Sequence, residues 1–198
     1  MSGTLFDLHN AGGTIAVLGI IFSCVGLLHN LSPVRRLDEQ SSLFLHQHLQ
    51  NYLTLFRMLW LFGKSPALIA LLIITFLFDR QNGAMIILFY LLIACSERGL
   101  KLALKRQRPF SLLGDIEMHQ PRQPYDPSYP SGDAMRVWYL ALVLPIIFSL
   151  PWVLSLFLGC IALLASLGRI AFGVHFLLDV IGGAGLGLLG AGLYFLYL

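Results

Sequence analysis

The sequence predicts an all-α integral membrane protein: a bundle of six transmembrane helices with an interfacial amphipathic helix beside it. Of its 198 residues, 57% are hydrophobic. Only 12% are Asp, Glu, Lys or Arg, against about 25% in soluble domains. The apolar residues also gather into runs that approach the length of a bilayer crossing, about 20 residues of helix. Too little polar surface remains to cover a water-soluble domain of this size. A soluble enzyme and a disordered chain are therefore excluded. A net charge of +3 is too small to argue for nucleic acid. The length fits one domain spanning residues 1–198.

The first span runs from Gly12 to His29 and stops at Ser32-Pro33 and the basic pair Arg35-Arg36. No basic region precedes it, so a cleaved signal peptide is not expected. In residues 43–62, His46, Gln47, Gln50, Asn51, Thr54 and Arg57 recur at helical spacing, and Leu45, Leu49, Tyr52, Leu53 and Phe56 fill the other side. The pattern suits an interfacial helix that bends at Gly63–Pro66 into the membrane, or the wet first turns of a tilted span. The second span is Pro66 to Phe78, closed by the polar run from Asp79 to Gly83. The third starts at Gly83 and continues through Ala103, with Pro109 as its final stop. Ala134 to Leu150 forms the fourth, Pro151 marks a tight return, and Trp152 to Leu167 forms the fifth. The sixth starts at Phe176.

Within the sixth span Gly183, Gly187 and Ala191 repeat every four residues and form one smooth stripe. Small residues on a stripe let a second helix approach closely in lipid. Packing inside the bundle is the expected use, and a homodimer seam is the alternative. Cys24, Cys95 and Cys160 lie in apolar runs without metal-ligand spacing, so buried, unreactive thiols are expected and no metal. Residues 110–132 make the one long polar loop, with Pro121, Pro124, Pro127 and Pro130 at every third position. Such spacing favours extended backbone, and a loop this long in a small protein usually has a function.

Ionisable residues near membrane spans are costly, so each is a functional candidate. Six alternating spans place three charged clusters on one face: Lys101 with Arg108-Pro109, Pro130-Ser131-Gly132-Asp133, and Arg169 with His175 and Asp179. Lys101, Arg108 and Arg169 could bind a phosphate through charge-assisted hydrogen bonds. Ser131-Gly132 stands at a helix start, where free N–H groups attract anions. His175 and Asp179 are four apart and share a helical face, so the carboxylate could hold one imidazole nitrogen as N–H and leave the other as nucleophile or base.

Lys101-x6-Arg108-Pro109, Pro130-Ser131-Gly132 and Arg169-x5-His175-x3-Asp179 resemble the three signature motifs of the type 2 phosphatidic acid phosphatase (PAP2) superfamily, over residues 65–192. The resemblance implies phosphoryl transfer without a metal or other cofactor. In this scheme His175 attacks phosphorus and forms a phosphohistidine that water hydrolyses. Asp179 orients it, and Lys101, Arg108, Ser131, Gly132 and Arg169 hold the phosphoryl oxygens. Such chemistry rests on positioning and charge stabilisation. The implied substrate is a lipid phosphate or diphosphate, in a multi-pass protein of a bacterial inner membrane.

Two positions depart from the family pattern. Gly168 precedes Arg169 where the family usually has Ser, and Asp133 stands where its second motif ends in His. That His is the family's acid for the departing oxygen, so Asp133 joins His175 and Asp179 as a catalytic candidate. An Asp among cations is normally an anion and a poor proton donor, and His119 in the polar loop is a substitute candidate. Two rival readings therefore stay open: a lipid phosphotransferase, and a non-catalytic lipid-binding or transport protein with a decayed site. Outside the three motif cations, the site face carries Arg35, Arg36, Arg57, Lys64, Arg98, Lys105, Arg106, Arg122 and Arg136, and the other face only Arg80. The positive-inside rule then favours a cytoplasmic site.

Overall fold

The computed structural model describes residues 2–198, with side chains from residue 9 onward. Among the described residues the chain forms nine α-helices and no strand: α1 Ser2–Leu27, α2 Ser32–Leu49, α3 Leu53–Gly63, α4 Ser65–Phe78, α5 Arg80–Leu104, α6 Pro109–Leu112, α7 Gly132–Ile147, α8 Trp152–Ala171 and α9 Leu177–Tyr197. Large apolar side chains point outward around the bundle, among them Ile20, Leu61, Ile73, Leu91 and Phe157. A water-soluble domain does not expose such a belt, whereas lipid covers it. The protein is an integral membrane protein.

The helix boundaries correct several expectations. Pro33 opens α2 in its first turn, where its missing N–H costs nothing, so helix begins well before residue 43. The bend expected at Gly63–Pro66 is present: the segment from Ser32 to Gly63 meets α4 at 46°. Asp79 caps α5 by accepting from the Asn82 N–H at 3.0 Å. At its other end α5 stops at Leu104, ahead of Pro109, because Lys105 takes a left-handed conformation with φ 48°. That turn directs the following arginines across the end of the bundle.

The six-span expectation is met only in part. Among the described residues, four stretches are long and apolar enough to cross a membrane: His9–Asn30, Arg80–Leu112, Trp152–Ala171 and Leu177–Tyr197. The bent pair of α2–α3 with α4 makes a fifth when it is counted as one broken span. The expected fourth span, α7, has only 16 residues with Pro145 inside it, about 24 Å of helix at 1.5 Å per residue. Its surface is mostly buried against α8, α9 and the core residues Ile86, Ile93 and Tyr194. Its neighbours therefore shield most of it from lipid.

α9 lies at the centre, packed between α1 and α7. The stripe of Gly183 and Gly187 faces α7: a Cβ at Gly183 would sit 2.2 Å from the Ser131 carbonyl oxygen, and one at Gly187 would sit 2.6 Å from that of Met135. Ala191 is fully buried. α7 therefore fills this surface, and the homodimer seam has no support. A second set of small residues joins α9 to α1, where a Cβ at Gly19 would lie 2.4 Å from the Leu189 nitrogen. The three cysteines are exposed, against expectation, because an apolar thiol is at home on a lipid-facing surface.

Candidate functional site

At one end of the bundle, the C-terminal ends of α5 and α8 meet the N-terminal ends of α7 and α9. Between them opens a cavity of about 800 Å³, lined by Lys101, Arg108, Gly132, Asp133, Arg169 and His175 from the predicted set. Glu97, Arg136 and loop residues Gln120 to Asp126 complete its wall together with Trp60, Lys64, Ser65 and Pro66. Three distant pieces of sequence thus reach one space.

His175 lies in the short connection between α8 and α9 and is 3% exposed. Arg108 donates from Nη1 toward His175 Nε2 at 3.2 Å. Guanidinium has no acceptor, so the Nε2 lone pair points at Arg108 and the ring proton belongs on Nδ1. Asp179 Oδ2 lies 3.7 Å from Nδ1, beyond hydrogen-bond reach. Ser128 stands between them: its hydroxyl donates to Asp179 Oδ2 at 2.5 Å and lies 3.5 Å from His175 Nδ1. Burial, then the nearby Arg108 charge, pushes His175 down to about 3. The imidazole is neutral at physiological pH, as a nucleophile must be.

The cations do not stand free. Asp126, which the sequence reading did not single out, accepts from Lys101 at one oxygen and from Arg108 Nη2 at the other, the latter at 2.9 Å. Burial opposes ionisation of Asp126, but the Lys101 hydrogen bond and charge, followed by Arg108, pull it down to about 2. Its carboxylate bridges the two cations as a phosphate would. Arg169 donates to Gln120 at 2.7 Å and lies 3.0 Å from Asp133 Oδ2. Its Nη1 makes that ion pair, and its buried Nε has no hydrogen-bond partner among the described residues. Asp133 also pairs with Arg136. With a guanidinium on either side, the ionised carboxylate is favoured.

Two predicted residues sit elsewhere. Ser131 is buried behind the cavity; its N–H donates to the Asp179 carbonyl at 2.9 Å and its hydroxyl caps α7. Its N–H is therefore not free for an anion, and only Gly132 reaches the cavity. His119 does not line the cavity either. It stacks on His46 with ring centroids 5.5 Å apart and an interplanar angle of 7°. It is placed to pack α2 against the loop, not to donate a proton to a leaving group.

The model described as the PAP2 superfamily matches residues 82–198, more than half the chain. The chain belongs to the PAP2 superfamily. Among solved structures, it is similar to a transmembrane PAP2-type phosphatidylglycerolphosphate phosphatase from Bacillus subtilis, at 24% identity and a TM-score of 0.72, covering 91% of this chain and 93% of that one. It is also similar to LpxE of Aquifex aeolicus, at 30% identity and a TM-score of 0.66, covering 79% of this chain and 94% of that one. Comparison with curated protein sequences finds no match. The likeness to the Bacillus structure shows the shared fold.

Around this PAP2 site lie residues with little sequence signal. Asp126 and Gln120 belong to the proline-rich loop, whose length was the only hint. The loop is pinned by Ser128 N–H donating to the Arg106 carbonyl at 2.8 Å and by the Tyr129 hydroxyl donating to the Ser23 carbonyl at 2.9 Å. Arg106 sits inside the x6 interval of the first motif, and Asp38 lies outside every motif.

Proposed function

We propose that the protein is a membrane lipid phosphatase or diphosphatase that works through a phosphohistidine. The observation that carries this reading is the convergence of Lys101, Arg108, Arg169 and the neutral His175 on one cavity, with Asp179 buried behind the imidazole. In the proposed reaction the three cations hold the phosphoryl oxygens, after the substrate displaces Asp126. His175 Nε2 forms a bond to phosphorus as the bond from phosphorus to the lipid oxygen breaks. The electron pair leaves on that oxygen, and the cationic phosphoimidazole is stabilised by the charge of Asp179. Water then attacks phosphorus, breaks the P–N bond and releases phosphate.

Asp133 supports a choice between substrate classes. A simple alkoxide needs a proton to depart, and a carboxylate paired with Arg136 and Arg169 is a poor source of one. A lipid phosphate leaving from a diphosphate is a weak base and needs less help. We therefore favour diphosphate lipids, such as polyprenyl diphosphates, over monoesters. Phosphatidylglycerolphosphate belongs in the panel because the Bacillus neighbour is named for it. The excess of cations on the site face supports a cytoplasmic site, although Arg106 and Arg136 face buried acids and count less toward that excess.

Purified protein should release phosphate from one or more members of that panel without added metal. His175→Ala should abolish release while remaining folded, and Asp179→Asn should be severely impaired. Wild-type rates in a folded His175→Ala protein would refute the nucleophile assignment. Binding of lipid phosphate with no turnover by the wild type would instead favour the non-catalytic reading.

A further inference from the structure

On the side of Asp179 away from the imidazole lies a buried charge network that extends beyond the motif residues. Arg106 donates from Nη1 to Asp179 Oδ1 at 2.7 Å and from Nη2 to Asp38 Oδ2 at 2.6 Å. All three side chains are nearly sealed, with relative exposures of 8% for Arg106, 1% for Asp38 and 0% for Asp179. The guanidinium also lies over the Phe176 ring at 4.2 Å. Asp38 in turn accepts from the Leu178 N–H at 3.0 Å, and Ser42, one helical turn further along α2, accepts from the Leu177 N–H at 2.9 Å. Asp179 Oδ2 accepts from the Phe176 N–H at 2.8 Å. The first turn of α9 is thus held by groups from α2 and by its own Asp179.

We propose that Asp38 and Arg106 are positioning residues for His175, acting through Asp179. This rests on the phosphohistidine reading. Two carboxylates share one guanidinium, so the cluster carries a net charge of −1 while His175 is neutral. A cationic phosphoimidazole brings the sum to zero. Arg106 alone would fix Asp179 in place but also cancel its charge. Asp38 takes up half of the guanidinium and leaves Asp179 able to support positive charge on the ring. A bidentate arginine between two carboxylates also fixes the direction of Asp179 more firmly than a single contact.

The competing explanation is that the network merely ties α2 to α9. Asp38→Asn separates the two, because an amide can still accept from Leu178 while its charge is gone. Removing a group that orients a reacting ligand typically costs about 10–100-fold. We expect kcat for phosphate release to fall by that factor in Asp38→Asn, with KM within about threefold of wild type. In an Asp179→Asn background the same change should add less than about threefold, since the residue it acts through is already altered. Ser42→Ala removes an α2–α9 link without touching charge and should lower thermal stability but leave kcat unchanged. A folded Asp38→Asn protein with wild-type kcat overturns the proposal. So does a loss that simply multiplies with that of Asp179→Asn. Should Asp38→Asn be recovered unfolded, Arg106→Lys decides. It keeps the charge but cannot bridge both carboxylates, and a wild-type kcat in that variant overturns the proposal. If the wild type releases no phosphate from any lipid, the parent reading fails instead.

Discussion

Replacing Gly183 with Ala should damage both the fold and the site. The added Cβ would lie 2.2 Å from the Ser131 carbonyl oxygen, 3.0 Å from its carbon and 3.2 Å from its nitrogen, where ordinary contact starts at 3.4 Å. Every one of these atoms is backbone, so no flexible side chain can swing aside. Overpacking at such a contact costs about 1–3 kcal/mol, which for a chain of this size lowers Tm by about 3–10 °C. The activity should suffer further, because α9 and Ser131 must separate by about 1 Å and misplacement on that scale can cost about 100-fold. Ser131 N–H holds the Asp179 carbonyl at 2.9 Å, so the displacement reaches the His175 partner directly. Thermal unfolding in detergent and kcat for phosphate release measure the two effects. Gly159→Ala in α8 is the control, since nothing lies within 4 Å of the added atom. It should be neutral or more stable by up to about 1 kcal/mol, the helix preference of Ala over Gly. A Gly183→Ala protein with wild-type Tm and kcat would refute the argument.

Asp133→His should raise monophosphate hydrolysis relative to diphosphate, toward the roughly 100-fold that general acid catalysis supplies at its lower end; an unchanged ratio of kcat/KM values would show that proton donation is not what the site lacks. Asp126→Asn should strengthen inhibition by inorganic phosphate about threefold to tenfold, a part of the about 1.5–3 kcal/mol of a charged hydrogen bond, and an unaltered inhibition constant would show that Asp126 does not compete with the anion. With His175 held near 3 by burial and Arg108, its protonation should not lower kcat/KM between pH 7 and 5. The same shift makes stability fall with pH, because below about 6.5 the unfolded chain takes up a proton on His175 that the folded protein refuses until about 3. Thermal scans should therefore find His175→Ala losing less stability than wild type between pH 7 and 4.

The site cations and the His175–Asp179 pair were legible because charge near a membrane span is costly and four-residue spacing fixes a helical face. The order of the apolar runs then brought the three clusters to one end. Single acids carry no such signal. Asp38 precedes the amphipathic stretch of residues 43–62 and lies outside every motif, and only the fold shows it sealed beneath Arg106. Asp126 lay in a loop whose path no periodicity could give. Ser131 was misplaced because its motif says where a helix starts but not which carbonyl takes its N–H. The number of spans was less legible: α7 is apolar like a membrane crossing, but it has only 16 residues and its neighbours cover most of it. One signal was there to be read. Gly12, Gly19 and Gly26 are seven apart and line the α1 face that meets α9.

The pairing of α1 with α9 bears on how the protein is made. During synthesis α1 enters the membrane with its glycine face uncovered, and its partner α9 emerges only after the seven helices between them. No other segment replaces that contact at such close range, so the two must find each other after everything between them is in place. The same late helix carries Asp179 and follows directly on His175. A chain that stops short of His175 and α9 therefore holds Lys101 and Arg108 without the proposed His175–Asp179 pair. On the proposed reading it could attract anionic headgroups but turn nothing over until α9 docks.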